Sequence, residues 1–338
     1  MTTDAVLPSF IQSLLKPEKY PHPVENVALV QTHISFVLLA GDYVYKFKKP
    51  VNFGFLDFSD LEKRHFCCDQ ELLLNRRLCP DIYLDIVEVH QQGQEFFLDG
   101  QGKLIEYGVR MKRMPEENMM ANLICSGSLS EKHVDAIVDV LVPFYAQAEH
   151  GKEVSVFGTA EAVAVNILEN FEQTRAFIGQ EALSKEQFNT ISKSAQNFLA
   201  QTELFAERQA AGHICDCHGD LYSANICLAD RVYIYDCIEF NQRFRYCDVA
   251  SDVAFLAMDL DYHGLTQLST YFIDRFVAAS KDPGLLEMLN FYKGYRAYVR
   301  GKIGLFTASD PAVDAQFRTQ CIDDATRYFR LAEQYATN

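Results

Sequence analysis

No stretch of the 338 residues approaches 18 consecutive apolar positions, and the N-terminus has no basic segment followed by an apolar one. A membrane-crossing helix needs about 20 apolar residues and a secretory signal needs that pairing, so neither is expected. Basic charge is also short, with 31 Lys and Arg against 46 Asp and Glu and a formal charge of −15. A surface that acidic neutralises phosphodiester backbones poorly, which sets nucleic acid aside as a partner. The ten cysteines lack the regular spacing of a disulfide-stapled secreted domain, and reduced thiols in a cytoplasmic protein are the expectation. Cys215-Asp216-Cys217, flanked by His213 and His218, has no second cysteine pair at zinc spacing, so buried thiols are expected there rather than a metal. Internal repeats, low-complexity tracts and long linkers are missing too.

What is present is an ordinary globular composition, 49% hydrophobic and 23% charged, in a chain long enough for two domains or lobes. Charge is unevenly spread: the first 113 residues hold 15 acidic and 13 basic side chains, the remainder 31 and 18. The acidic field therefore belongs to the second part, where it either favours a cationic ligand or keeps the surface soluble.

Val6, Leu7, Phe10, Ile11, Leu14 and Leu15 recur at helical spacing, predicting a short amphipathic helix over 4–16 that Pro17, Pro21 and Pro23 end. From 27 to 113 the texture is strand-like, in runs such as VALVQT, HISFVLLA, YVYKFK, IYLDIVEVH and LIEYGVRM, with Gly41-Asp42 and Asp99-Gly100 as turns. One helix interrupts them at 61–78, with Phe66, Leu72, Leu73 and Leu74 on its period and Pro80 just beyond. After Met114 helices are expected near 130–149, 159–178, 184–209, 264–280, 284–306 and 311–336. Residues 224–240 form the exception, two short apolar runs around Ala229-Asp230 that read as a β-hairpin. The expectation is an α+β chain with a strand-rich lobe over 1–113 and a larger helical lobe over 114–338.

The chemistry concentrates in His218-Gly219-Asp220-Leu221-Tyr222-Ser223-Ala224-Asn225, of the form H-x-D-x-x-x-x-N, with Asp236 sixteen residues after Asp220 at the end of the apolar run 232–235. Phosphoryl transfer needs a carboxylate near the attacking hydroxyl and oxygen ligands that hold Mg²⁺ against nucleotide phosphates. An Asp and an Asn five apart on one loop, with a second Asp after a hairpin, supply those groups. Read singly, the same residues are turn formers and a strand-end cap.

With the run Asp248-Val249-Ala250-Ser251-Asp252-Val253-Ala254, these residues resemble the catalytic core of the aminoglycoside phosphotransferase family, in the protein-kinase-like superfamily. KFKKPVNFGFLDF, CHGDLYSANICL and IYDCIEFNQRFRYCDVASDVAFLAMDLD are most similar to a bacterial branch whose longer members carry a C-terminal P-loop ATPase domain. No G-x-x-x-x-G-K-[ST] occurs, so such a domain is not expected within these residues. The resemblance implies a bilobal kinase-like fold, with an N-terminal antiparallel sheet lobe carrying one main helix and a larger helical C-terminal lobe. It implies Asp220 as catalytic aspartate, His218 as a brace of the catalytic loop, Asn225 and Asp236 as Mg²⁺ ligands, and Asp252 as a support for the loop backbone. It further implies a nucleotide lysine, Lys46, paired with Glu71 on the helix 25 residues later, and an adenine edge met by the backbone of Met111, Lys112, Arg113 and Met114. Alternation places Lys48 on the same strand face as Lys46 and keeps it a competitor.

Two departures stand out. The turn Gln31-Thr32-His33-Ile34-Ser35-Phe36, where a phosphate-covering loop belongs, has no glycine, so its amides and the Thr32 and Ser35 hydroxyls are the expected phosphate contacts. Only 11 residues separate Asn225 from Asp236, a tight hairpin. No long segment with A-P-E follows Asp236, which disfavours a peptide substrate. The expected activity is transfer from ATP or GTP to a hydroxyl of a small molecule, with Glu239, Asp259 and Asp261 either contacting a cationic acceptor or lying idle on the surface. Arg243 and Arg245 either meet an anion or pair with neighbouring acids. The alternatives are a nucleotide-binding regulatory module or pseudokinase working with a protein partner, such as a separate ATPase, and a protein side-chain kinase.

Overall fold

The computed structural model describes residues 7–311 and 313–338. These fall into two compact units, one built from 7–119 with 227–242 and the other from 120–226 with 243–338. The segment 227–242, which a single cut after Arg113 leaves with the helices, thus folds with the strands.

In the first unit six antiparallel strands, β1 (Val27–Gln31), β2 (Ser35–Ala40), β3 (Tyr43–Lys48), β4 (Tyr83–Gln92), β5 (Glu95–Leu98) and β6 (Lys103–Lys112), lie in the order β1-β2-β3-β6-β4-β5. The β2–β3 turn needs Gly41, whose φ is +59° and where a Cβ would stand 2.8 Å from the Pro23 carbonyl oxygen. One face of the sheet buries Phe36, Leu38, Tyr45, Phe47, Val87 and Val89 with Ile11 and Leu14 of helix α1 (Ser9–Leu14). The helix expected over 4–16 is therefore shorter at both ends within what is described, and its positions 4–6, Val6 included, lie outside the described residues.

Helix α2 (Leu61–Asn75) starts at Asp60, whose carboxylate accepts the Lys63 N–H at 2.8 Å. It ends three residues before the expected limit, where the Cys79 N–H bonds back to the Asn75 carbonyl. Its buried face is not the expected one. Phe66 and Leu73 are 61% and 64% exposed, whereas Arg64, Glu71 and Asn75 are buried beside Cys67, Cys68, Leu72 and Leu74. Charge pairing overrides hydrophobic periodicity here: Arg64 Nε meets both Glu106 carboxylate oxygens at 2.9 Å, tying α2 to β6.

The second unit holds α3 (Met120–Cys125), α4 (Glu131–Gln147), α5 (Lys152–Ser155), α6 (Ala160–Gln173), α7 (Lys185–Leu199) and α8 (Thr202–Ala210). The expected helix over 184–209 is two, because Gln201 leaves the helical region at ψ 60°. A short strand β7 (Ile214–Asp216) follows, and the chain then passes through the hairpin of β8 (Ile226–Leu228) and β9 (Val232–Ile234), which from residue 227 onward belongs to the first unit. After α9 (Gln242–Arg245), β10 (Tyr246–Asp248) pairs with β7, a ladder too short to read from sequence. Helix α10 (Val249–Tyr262) is buried almost all round, and α11 (Thr266–Ser280), α12 (Leu285–Ser309) and α13 (Ala315–Thr337) complete the unit. Gly301 and Gly304 let α12 and α13 approach, since a Cβ would stand 2.8 Å from the Phe329 ring at one and 2.9 Å from the Cys321 carbonyl at the other.

All ten cysteines are free thiols, and Cys125 is the exposed one. Burial pushes Cys67 and Cys227 up to about 11 and Cys68 and Cys79 up to about 12. Alkylation needs accessible thiolate. Iodoacetamide at pH 8 is therefore expected to modify Cys125 alone in the native protein and all ten residues in denaturant, as read by intact mass. Fast native modification of a second cysteine would contradict this burial.

Candidate active site

Alternation along β3 sends Tyr45 and Phe47 into the core and leaves Lys46 and Lys48 on the other face, opposite Glu71 of α2. Lys46 Nζ lies 2.8 Å from Glu71 Oε1, and Lys48 Nζ lies 2.8 Å from Oε2. Beyond that shared carboxylate the lysines diverge. Lys46, with 13% of its side chain accessible, reaches Asp236 Oδ1 at 2.5 Å, and the Asp236 side chain is 44% accessible. Lys48 is sealed in, pairing with buried Glu239 and lying 5.0 Å from the Phe58 ring centroid. Burial works to raise the Glu71 carboxyl, but Lys46 and Lys48 outweigh it and hold the group at about 2. Burial likewise opposes charge on Lys46, yet Asp236 and Glu71 keep it firmly protonated. Glu239, expected either at a cationic acceptor or idle on the surface, is instead buried against Lys48, and burial pushes its carboxyl up.

Asp236 has φ +62°, a left-handed conformation that costs a non-glycine residue energy. Two bonds hold it: the Asp236 N–H donates to Tyr83 Oη at 3.2 Å, and the Cys237 N–H donates to Asn75 Oδ1 at 2.8 Å. Asn75 stands one helical turn after Glu71, so a single face of α2 fixes both lysines and the turn that presents Asp236. Sequence reading missed Asn75. Its i, i+4 spacing from Glu71 was the available signal.

The remaining first-unit candidates are more engaged than expected. The Ile34 and Ser35 N–H groups donate to Thr32 Oγ1 at 3.3 and 2.9 Å, and the Thr32 N–H donates to the Ser35 carbonyl at 3.0 Å. Without glycine the turn closes on a threonine, and Ser35 Oγ is buried without a partner. At the end of β6 Met111 is buried in the sheet, the Lys112 N–H donates to Ile82 O and the Arg113 N–H donates to Asp42 O, so strand pairing uses these amides before Met114 is reached.

In the second unit α10 presents Asp252 and Asp259 seven residues apart, on one face. Asp252 accepts the His218 N–H at 2.7 Å and the Gly219 N–H at 2.9 Å, while Asp259 accepts the Ser223 N–H at 3.0 Å. The loop is therefore gripped at both ends, and Asp259, expected either at a cationic acceptor or idle on the surface, is a second brace. Asp261 is also occupied, pairing with Lys293 at 2.8 Å and accepting from Tyr335 Oη at 2.5 Å. His218 is fully buried with its Nδ1 accepting the Asp220 N–H at 3.3 Å, a bracing position. Asn225 donates through Nδ2 to both the carbonyl and Oδ2 of Asp220, each at 2.9 Å. Arg245 pairs with Asp216 at 2.5 Å and Arg243 with Glu169, the neighbouring-acid alternative for both.

Among the described residues no cluster of three or more His, Cys, Asp or Glu side chains is arranged to hold a metal, and no helix is long and apolar enough to cross a membrane. His213 Nε2 lies 3.3 Å from Asp282 Oδ1.

No protein-family model matches the chain. An uncharacterized protein of Mycobacterium tuberculosis strain H37Rv and one of Mycobacterium bovis are each 33% identical over 319 residues, 93% of this chain. The chain spans 61% of the length of these curated relatives. Among solved structures, a choline/ethanolamine kinase family protein from Mesorhizobium loti is similar over 99% of this chain and 100% of its own, with a TM-score of 0.50 at 11% identity. The amicoumacin kinase hAmiN, solved in complex with AMP-PNP, Ca²⁺ and Ami, is similar over 95% of this chain and 89% of its own, with a TM-score of 0.51 at 10% identity.

Proposed function

We propose that this chain, whose fold is that of the protein-kinase-like superfamily, is a phosphotransferase moving the γ-phosphoryl group of ATP or GTP to a hydroxyl of a small molecule. The observation that carries the reading is Asp220, held by the Asn225 amide on a loop whose backbone Asp252 and Asp259 both grip. Preorganisation of this kind suits a group that must orient a hydroxyl for in-line attack. Lys46, the more accessible of the two lysines, neutralises phosphate charge, and Glu71 holds it in place. Asn225 spends its amide hydrogens on Asp220, which leaves its Oδ1 as an acceptor, and the Asp236 carboxylate, paired with Lys46 through Oδ1, stays partly accessible. Each is a hard oxygen donor of the kind that suits Mg²⁺, which would supply charge neutralisation on the phosphates when bound. The short span from Asp236 to Asp248 offers no platform for a peptide, which favours a small acceptor over a protein side chain. Free thiols suit a cytoplasmic setting.

The internally bonded turn at Thr32–Ser35 favours a second reading, a nucleotide-binding regulatory module with little turnover that works with a protein partner. Thermal unfolding with Mg-ATP and with Mg-GTP tests the nucleotide site first. A ligand at 100 times its Kd stabilises by about 2.7 kcal/mol, so the midpoint is expected to rise with one or both nucleotides, and only when Mg²⁺ is present. No rise at millimolar nucleotide would overturn both readings. A rise without ADP formation across hydroxylated acceptors would favour the regulatory module.

A further inference from the structure

Arg296 and Arg300 stand one turn apart on α12, on the side of the helix that faces the Asp220 loop, and their guanidinium groups meet different fates. Arg296 is consumed by structure: Nη1 donates to the Gly219 carbonyl at 2.9 Å, Nε donates to the Ser251 carbonyl at 3.2 Å, and Asp252 lies at 3.7 Å. Arg300 lies 4.8 Å from the centroid of the Tyr222 ring and 5.7 Å from that of Tyr328, and its guanidinium also hydrogen-bonds the Tyr328 side chain. It enters no ion pair among the described residues, and its Nε is shut off from water with no acceptor. The residue as a whole stays partly accessible.

A buried donor without an acceptor is costly, more so when it carries charge, and a guanidinium fork is shaped to be satisfied by two oxygens at once. Tyr222 is two residues after Asp220, so the guanidinium whose Nε stays unmet stands at the Asp220 loop, with Tyr328 satisfying only part of it. Burial disfavours the charge, but Tyr222, Tyr328 and the Asp220 carboxylate hold the group protonated. The acids that would welcome a cationic acceptor are meanwhile spoken for, since Asp259 binds the Ser223 amide and Asp261 binds Lys293 and Tyr335. An ammonium beside Arg300 would meet a like charge.

We propose that Arg300, framed by Tyr222 and Tyr328, recognises an oxyanion on the acceptor, so that the substrate carries a carboxylate or a phosphate besides the hydroxyl it offers to Asp220. The proposal rests on the phosphotransferase reading and narrows its substrate class from cationic to anionic. Four probes with comparable hydroxyls test it in the presence of Mg-ADP: D-glycerate, glycerol 3-phosphate, glycerol and ethanolamine. Thermal midpoints are expected to rise with D-glycerate or glycerol 3-phosphate, the responder identifying the anion as carboxylate or phosphate, and to stay put with the other two. Arg300→Gln is expected to weaken the anion response at least tenfold in Kd, and Arg300→Lys, which keeps the charge, to retain part of it. The Mg-ATP midpoint shift is expected to persist in both variants.

Any of four results would overturn the proposal: a response to ethanolamine in preference to the anions, no response to any probe, an anion response undiminished in Arg300→Gln, or a fall in kcat with unchanged anion affinity. The last would make Arg300 a positioning residue for Asp220. Should Arg300→Gln fail to fold, Arg300→Lys decides between a retained and a lost response. Loss of the Mg-ATP shift in the wild type, by contrast, is failure of the underlying phosphotransferase reading.

Discussion

Replacing Asp220 by asparagine is expected to lower turnover about a thousandfold while Mg-ATP raises the unfolding midpoint as it does in the wild type. The two side chains have the same shape, so the change removes a negative charge and a proton acceptor and little else. Groups acting in that role contribute typically about 10²–10⁴ to rate. The loop should survive the substitution, because its geometry is held by other bonds: Asp252 on His218 and Gly219, Asp259 on Ser223, and Arg296 on the Gly219 carbonyl. Of the two bonds that Asn225 makes to Asp220, the one to the backbone carbonyl is indifferent to the change. Steady-state ADP release and the Mg-ATP midpoint, measured on the same preparation, check the prediction. Turnover retained within tenfold would remove Asp220 from the chemistry, and loss of the nucleotide shift would mean that the residue holds nucleotide instead.

Much of this arrangement was legible because it rests on spacing along short segments. H-x-D-x-x-x-x-N followed by a hairpin and Asp236 brings its own loop with it, and the pairing of Asn225 with Asp220 is a five-residue event. The alternation of YVYKFK likewise announced that Lys46 and Lys48 share a face. What sequence did not disclose depends on partners far away in the chain. Helix α2 reads as apolar at Phe66 and Leu73, yet it turns Arg64, Glu71 and Asn75 inward, because Glu106, the two β3 lysines and the Cys237 amide provide partners that repay their burial. Asp259 looked like an open carboxylate on an acidic helix. Its role became evident only once α10 stood against the loop with Asp252 two turns away. The break at Gln201 and the β7–β10 ladder had no glycine, proline or long alternation to mark them.

The ambiguity that alternation left between Lys46 and Lys48 is resolved by burial into two opposite expectations. In Lys46→Met, Glu71 keeps Lys48 and the accessible Asp236 carboxylate can turn to water, so the stability cost is expected to be about 1–2 kcal/mol. The Mg-ATP midpoint shift is expected to disappear with the ammonium group. In Lys48→Met, Glu239 loses its lysine and Glu71 one of two, with both carboxylates almost fully buried. Removing one partner of a buried pair costs about 3–5 kcal/mol, so this variant is expected to unfold at much lower urea concentration while retaining a Mg-ATP response in the folded fraction.

The acid limb of stability should move as well. Glu71 titrates near 2 in the folded protein, below its usual 4.5, so it contributes stability above pH 4.5 that is lost as pH falls toward 2. Removing Lys48 takes away part of the attraction that lowers this value, so the loss should begin at higher pH. Adding Glu239→Gln to Lys48→Met neutralises the stranded carboxylate and is expected to restore part of the urea midpoint, whereas adding it to the wild type should lower stability by leaving Lys48 with one partner. If Lys48→Met instead abolished the nucleotide shift in protein that remained folded, and Lys46→Met preserved it, the roles of the two lysines would be reversed. The accessible ammonium would then be the structural one, and nucleotide binding would have to open the Lys48–Glu239 pair first.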